Sequence, residues 1–267
     1  MTIRTALRGL ITVFALSAIA CDAAFANTVK PTPAAVAAAG ARFDVNAWDK
    51  LLKKYVDDKG RVDYQKLKAD PADMQSFEQV FAQVAAQKLD ALPSKSAKEA
   101  FLLNAYNVCV WKNVIDRLPK LKSVNDEKTS FFYFTKFLVG GKETSLYSLE
   151  GDAIRPVFKD PRVHMALNCA SGGCPQLPPE AFDSQKLDSQ LDREATKFVN
   201  EDRNVHYDAA SNTASLSHIF DWYDKDFDKH QIHWINQHRP KDRQIPETAK
   251  LKFVDYDWRL NDTSLPR

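Results

Sequence analysis

The sequence has no phosphate-binding glycine loop, no G-x-G-x-x-G dinucleotide fingerprint and no G-x-S-x-G nucleophile elbow. Nucleotide cradles and the serine-hydrolase elbow are therefore excluded as starting points, and no motif calls for a cofactor. Charge of one sign is not in excess either. The chain carries 37 Lys+Arg against 35 Asp+Glu. Removing residues 1–26 takes away Arg4, Arg8 and Asp22, which leaves 35 against 34, a net charge of +1. So balanced a chain gives no electrostatic case for nucleic acid or for an anionic membrane. Long apolar runs are missing as well. Gly9–Ala20 is the most apolar stretch, and it is too short to span a bilayer. No internal repeat occurs, and there are only four cysteines: Cys21, Cys109, Cys169 and Cys174.

What is present at the N-terminus reads as an export signal over residues 1–26. Arg4 and Arg8 precede the short apolar run, and Ala24-Phe25-Ala26 is an A-x-A cleavage site, so the mature chain is expected to begin at Asn27. The competing reading is a lipoprotein anchored through Cys21, in the box Ala18-Ile19-Ala20-Cys21. Alanine at the first position of that box is a poor match. Either way the protein is expected to be exported, periplasmic or extracellular, where thiols meet an oxidising environment. Residues 27–42, rich in Pro and Ala, read as a linker. Residues 43–267, with about 240 residues in the mature chain, suffice for one core.

Helical spacing of Trp48, Leu51, Leu52 and Tyr55, and of Phe77, Val80, Phe81 and Val84, predicts two amphipathic helices. Ser96-Ala97-Lys98-Glu99 reads as a capping box opening a third, over about 97–118. That helix is apolar nearly all round and belongs in the middle of the fold. Asn104 and Asn107 are its polar exceptions. Buried amides must be hydrogen-bonded, so they either pin neighbouring backbone or line a site. Phe131–Val139, Gly140-Gly141 and Thr144–Tyr147 read as a hairpin. Leu149–Val157 reads as a helix stopped near Pro156, and Arg162–Leu167 as a strand. A helix around Leu187–Val199, a short strand at Thr213–Leu216, an aromatic helix from Ile219 and a strand over Leu251–Trp258 complete the expectation. Helices outnumber strands without alternating with them. The fold class is α+β, a helix-rich single domain around a small, mostly antiparallel sheet.

Reactive groups concentrate in Asp160-Pro161-Arg162-Val163-His164-Met165-Ala166-Leu167-Asn168-Cys169-Ala170-Ser171-Gly172-Gly173-Cys174-Pro175. Three readings stay open. In an exported protein, two thiols five positions apart oxidise to a disulfide, and the small residues between them allow the loop to close. Alternatively Cys169 is a nucleophile with His164 as its base, oriented by Asn168, Asn104 or Glu150. Backbone N–H groups would then stabilise an oxyanion in hydrolysis or acyl transfer. A third reading makes His164 and both cysteines zinc ligands, without an evident fourth. Strand alternation would turn His164 and Cys169 to opposite faces. His230, His233 and His238, near Asp226 and Asp228, read as a solvated helix. Cys109 reads as a buried thiol, and Asp57-Asp58-Lys59-Gly60 as a solvated turn rather than a calcium loop.

The chain resembles the domain-of-unknown-function 547 family. The matching blocks are Leu103-Asn104-Ala105-Tyr106-Asn107, Ser145-Leu146 with Glu150 and Arg155-Pro156, Asp160–Pro175, Leu216-Ser217 with Ile219-Phe220 and Trp222-Tyr223, and Tyr256-Asp257-Trp258 with Leu260-Asn261. Val62-Asp63-Tyr64 after Gly60 fits the family's beginning. The resemblance implies a place for the site, not a reaction. Two positions depart from it: Leu102 stands where the family often has a bulky aromatic, and Gly151 where it often has a histidine. Two functions follow: a cysteine-dependent hydrolase or acyl/amide transferase centred on Cys169, His164, Asn104 and Glu150, or a non-catalytic binding module with a structural Cys169–Cys174 disulfide. In both, the partner is a small molecule or peptide.

Overall fold

The computed structural model describes residues 28–264. The expected signal segment, the Asn27 start and Cys21 lie outside the described residues. Part of the expected linker is ordered onto the domain. Residues Thr28–Val29 form β1, and Pro33–Ala38 form α1, capped by Thr32 and opened by Pro33. A proline in the first helical turn costs no hydrogen bond, so a Pro/Ala-rich sequence can start a helix as readily as a tether.

Helices α2 (Val45–Tyr55), α3 (Tyr64–Ala69) and α4 (Pro71–Ala86) follow, each begun by an aspartate whose carboxylate accepts first-turn N–H groups: Asp44, Asp63 and Asp70. They wrap α5 (Lys95–Arg117), which is buried along almost its whole length, as its all-round apolar character requires. Trp111, 1% exposed, sits at the centre, edge-on to Trp48 at 4.8 Å and to Tyr64 at 5.8 Å. Asp57 accepts N–H bonds from Lys59 and Arg61 and pairs with Arg61, a turn with its own satisfied polar groups.

The cap of α5 is not the expected one. Ser94 Oγ accepts from Ala97 N, two residues before Ser96. Glu99 is thereby released from capping and is buried toward Asp160 and Arg162. Desolvation, with the Asp160 charge adding to it, pushes the Glu99 carboxyl up from 4.5 to about 7. Between those values the folded chain holds a proton that the unfolded chain has released, so stability falls as pH rises through this window. Glu99→Gln, which cannot ionise, is expected to gain roughly 1 kcal/mol over wild type near pH 8, after solvent screening is allowed for, and little near pH 4. Urea unfolding at the two pH values checks this. An equal difference at both would mean that Glu99 ionises in the folded chain as it does in water.

The α+β class holds, but the single sheet becomes two. β1 pairs parallel with β2 (Lys136–Val139), which pairs antiparallel with β3 (Lys142–Ser145) across Gly140-Gly141. The second sheet joins β4 (Val205–Asp208), β5 (Thr213–Ser217) and β6 (Lys250–Val254), antiparallel between β4 and β5 and parallel between β5 and β6. Each sheet is thus mixed rather than mostly antiparallel.

Three expected elements change character. Ser130–Phe134 is a wide helical turn and not the start of the hairpin strand, because Phe131 is drawn fully into the core. The helix that begins as α6 (Leu146–Ser148) runs through a wide turn, Leu149–Ile154, into α7 (Arg155–Phe158) and passes Pro156. The predicted strand Arg162–Leu167 is instead a short 3-10 helix over Pro161–Met165. Asp160 caps it through Arg162 N, and Pro161 presets its first turn.

α8 (Leu187–Asn200), α9 (Ile219–Trp222) and α10 (Gln231–Gln237) complete the fold. Two apolar clusters result. One is built around α5; the other gathers Met165, Phe198, Phe220, Phe227 and Trp234 against the second sheet. Among the described residues no helix is long and apolar enough to cross a membrane.

Candidate functional site: an aromatic cleft over a disulfide

A cleft of about 370 Å³ opens where the two apolar clusters meet. That volume is in the range of small-molecule sites. One side takes Tyr106 and Leu167 from the α5 cluster. The other takes Ile219 and Tyr223, and Tyr256 and Trp258 close it. Its rim is unusually aromatic for exposed surface. Tyr133 and Tyr147, 41% and 56% exposed, stack at 4.6 Å, while Trp222, 44% exposed, lies 5.6 Å from Trp258 and 4.8 Å from Tyr256. Lys128 Nζ stands 4.5 Å over the Trp258 ring.

The floor is the segment Asn168–Pro175. Cys169 and Cys174 form a disulfide. Asn168 folds the loop around itself: its Nδ2 donates to Pro175 O at 2.8 Å, and its Oδ1 accepts from Ala170 N at 2.9 Å and from Asn261 Nδ2 at 3.1 Å. That local bond holds Ala170 at φ 63°, a left-handed turn that a non-glycine residue rarely adopts. Asn107 reaches from α5 to set the approach, donating to Ala166 O and accepting from Asn168 N, both at 3.0 Å. The C-terminal segment grips the far side. Gly172 N donates to Arg259 O and Gly173 N to Asp257 O, each at 2.8 Å, and Asn261 N donates to Ala170 O at 3.0 Å. Gly173 is required here by space: a Cβ on it would lie 2.9 Å from the Tyr256 ring. Arg203 binds the carbonyls of Gly172 and Cys174 from outside.

A second polar group lines the wall. Asp226 Oδ2 accepts from Arg155 Nε at 2.6 Å and contacts His164 Nε2 at 2.8 Å. The His164 hydrogen bond, helped by Arg155, holds the Asp226 carboxyl well below the usual carboxylate range. The His164 ring lies against Tyr223 at 4.1 Å, and the Arg155 guanidinium stands over the same ring at 4.5 Å. Burial, together with a hydrogen bond to Glu150, pushes the Tyr223 phenol far up, so it keeps its proton.

The four residues expected to carry chemistry are thus distributed. Cys169, His164 and Glu150 all line the cleft. Cys169 is bonded to Cys174, and His164 faces Asp226. Asn104 is not in the lining. Its amide donates to Phe182 O at 2.8 Å and accepts from Phe182 N at 3.0 Å, which pins backbone before α8. No group of three or more His, Cys, Asp or Glu side chains among the described residues is arranged to hold a metal ion. His233 lies exposed near Glu247 and His238 against Trp234, both away from the cleft. Cys109 is a buried free thiol whose pKa burial pushes far up. Sequence reading missed Lys128, Tyr133 and Tyr147 as a rim, and the Arg155–Asp226 pair. Their only signal was an aromatic run that reads equally well as strand.

Among known proteins, residues 89–199 match the model of a family described as a protein of unknown function, DUF547. The matched segment covers α5, the wide turns, the disulfide loop and most of α8. No curated protein and no solved structure matches the chain.

Proposed function

We propose that this chain, which matches the DUF547 family over residues 89–199, is an exported, non-catalytic binding protein. It takes a small molecule or short peptide into the aromatic cleft. One observation carries this reading: exposed aromatic rings gather on both sides of a cleft of ligand size. A monomer seldom leaves such surface to water without a use for it. The ligand has a flat apolar part to lie on Trp222, Trp258 or Tyr133. It also has polar ends within reach of Lys128, Glu150 and Arg155. Acyl transfer is less well supported, because a nucleophilic Cys169 needs a free thiol and a nearby base. Here its sulfur is bonded to Cys174, and His164 hydrogen-bonds Asp226.

A panel of amino acids, tripeptides and mono- and disaccharides, followed through tryptophan fluorescence, tests the proposal. At least one class is expected to perturb Trp222 and Trp258. Trp222→Ala should weaken that binding at least about tenfold, the usual loss for a buried aromatic anchor, with little change in melting temperature. Native protein from the exported compartment should also show no reactive thiol. A titratable native Cys169 together with turnover of an amide or thioester would replace this reading with the enzyme.

A further inference from the structure

The disulfide at the cleft floor is not placed as a simple staple. Its two sulfurs sit in different surroundings. Both cysteines line the cleft, but Cys169 is half-buried whereas Cys174 is only 3% exposed. Cys174 Sγ is the better solvated by the protein. It faces the Cys169 N–H at 2.9 Å, Ser171 Oγ at 3.3 Å and Tyr256 Oη at 3.3 Å. Among the described residues Cys169 Sγ meets the same two hydroxyls, at 3.2 and 3.5 Å, and no N–H. Burial holds the Tyr256 phenol above its ordinary range, so it remains an O–H donor. Arg203 adds a positive charge to the Cys174 carbonyl, 3.2 Å away.

A disulfide sulfur is a weak acceptor, and a thiolate is a strong one. Donors converging on Cys174 therefore gain most when that sulfur carries negative charge. In thiol–disulfide exchange the sulfur that is attacked must be accessible, and the sulfur that leaves must be stabilised as thiolate. Cys169 meets the first condition and Cys174 the second.

We propose that the Cys169–Cys174 pair is a thiol–disulfide exchange site for a low-molecular-weight thiol that enters the cleft. The incoming thiolate bonds to Cys169 Sγ. The Cys169–Cys174 bond breaks, and its electron pair stays on Cys174 as a thiolate among the Cys169 N–H, Ser171 and Tyr256. A second equivalent of thiolate then attacks the substrate sulfur of the mixed disulfide. Cys169 leaves as thiolate and takes a proton from water. The thiols are oxidised to their disulfide, and the protein is reduced to a Cys169 thiol beside a Cys174 thiolate. The cleft supplies access, but the step does not depend on which other ligand binds there.

Glutathione is the probe. In native wild-type protein, reduced glutathione followed by alkylation and peptide mapping is expected to open this disulfide and leave Cys109 untouched. With oxidised glutathione, Cys169 in the Cys174→Ser variant is expected to accept the glutathionyl group at least about tenfold faster than Cys174 does in Cys169→Ser. Tyr256→Phe, which removes one of the donors, should slow opening by up to about tenfold, the worth of one such hydrogen bond, with an unchanged melt. Should Tyr256→Phe unfold, the choice between the sulfurs still decides. A disulfide that opens only in denaturant, or a Cys174 that reacts as fast as Cys169, overturns the proposal and leaves a structural bridge. Neither outcome bears on ligand binding read by fluorescence.

Discussion

Trp111→Ala is expected to lower the free energy of unfolding by about 3–5 kcal/mol, the range for a large aromatic removed from a close-packed core. Trp111 lies at the meeting point of α2, α3, α4 and α5, with Trp48, Tyr64 and Phe77 within 6.2 Å ring to ring. Every neighbour belongs to a helix whose own position depends on that contact, so the site has little room to collapse. The Trp111 Nε1–H finds no hydrogen-bond partner among the described residues. Alanine thus sheds an unsatisfied donor, which moves the loss toward the lower end of the range. Denaturant unfolding measures the change. A variant that melts within a degree or two of wild type would mean that α5 is not the centre of the fold.

The second large effect is expected at Asn168. Asn168→Ala strands the Pro175 carbonyl, the Ala170 N–H and the Asn261 amide, all buried. A buried polar group left without its partner costs about 1–3 kcal/mol. The expected loss is about 3–5 kcal/mol, since the three do not add in full when neighbours relax. Asn168→Asp separates donor from acceptor. It keeps an acceptor for Ala170 N–H but cannot donate to Pro175, so it should also destabilise. Loss of near-ultraviolet dichroism from Tyr256 and Trp258 should accompany the alanine change, because the Tyr256 ring rests against Gly173 and Trp258 packs on Tyr256 at 4.6 Å. A cost below about 1 kcal/mol would show that water replaces the amide freely, and that the loop is held chiefly by the disulfide and the C-terminal segment.

The expected packing of α5 could be read from one property, apolar residues on all faces, because only a buried position satisfies such a helix. Its flanking helices were equally legible, as were β5 and α8, where periodicity and burial coincide. The hairpin turn at Gly140-Gly141 followed from glycine's access to positive φ. The predicted strand at Arg162–Leu167 failed for a local reason. Six residues cannot distinguish a period of two from a tight helical turn, and Asp160-Pro161 decided for the turn. Ser130–Phe134 failed the same way, an aromatic run whose β-propensity yielded to the burial of Phe131.

The candidate site divides along similar lines. The segment Asp160–Pro175 announced itself through its cysteines, histidine and glycines, and both the cleft and the disulfide lie there. The partners of these groups were not legible. Asp226 reaches His164 across 62 positions and Tyr256 reaches Cys169 across 87. Asn104 and Asn107 look alike in sequence, yet one pins Phe182 and the other the disulfide loop. Local pattern by itself determined which segments are helical, which helix is central and where the reactive groups concentrate, because each depends on spacing within a few residues. Only the tertiary structure decided that the two sulfurs differ, that His164 pairs with Asp226 and that aromatic rings line the cleft. Those facts depend on which distant donors and rings converge when two separate apolar clusters close against each other.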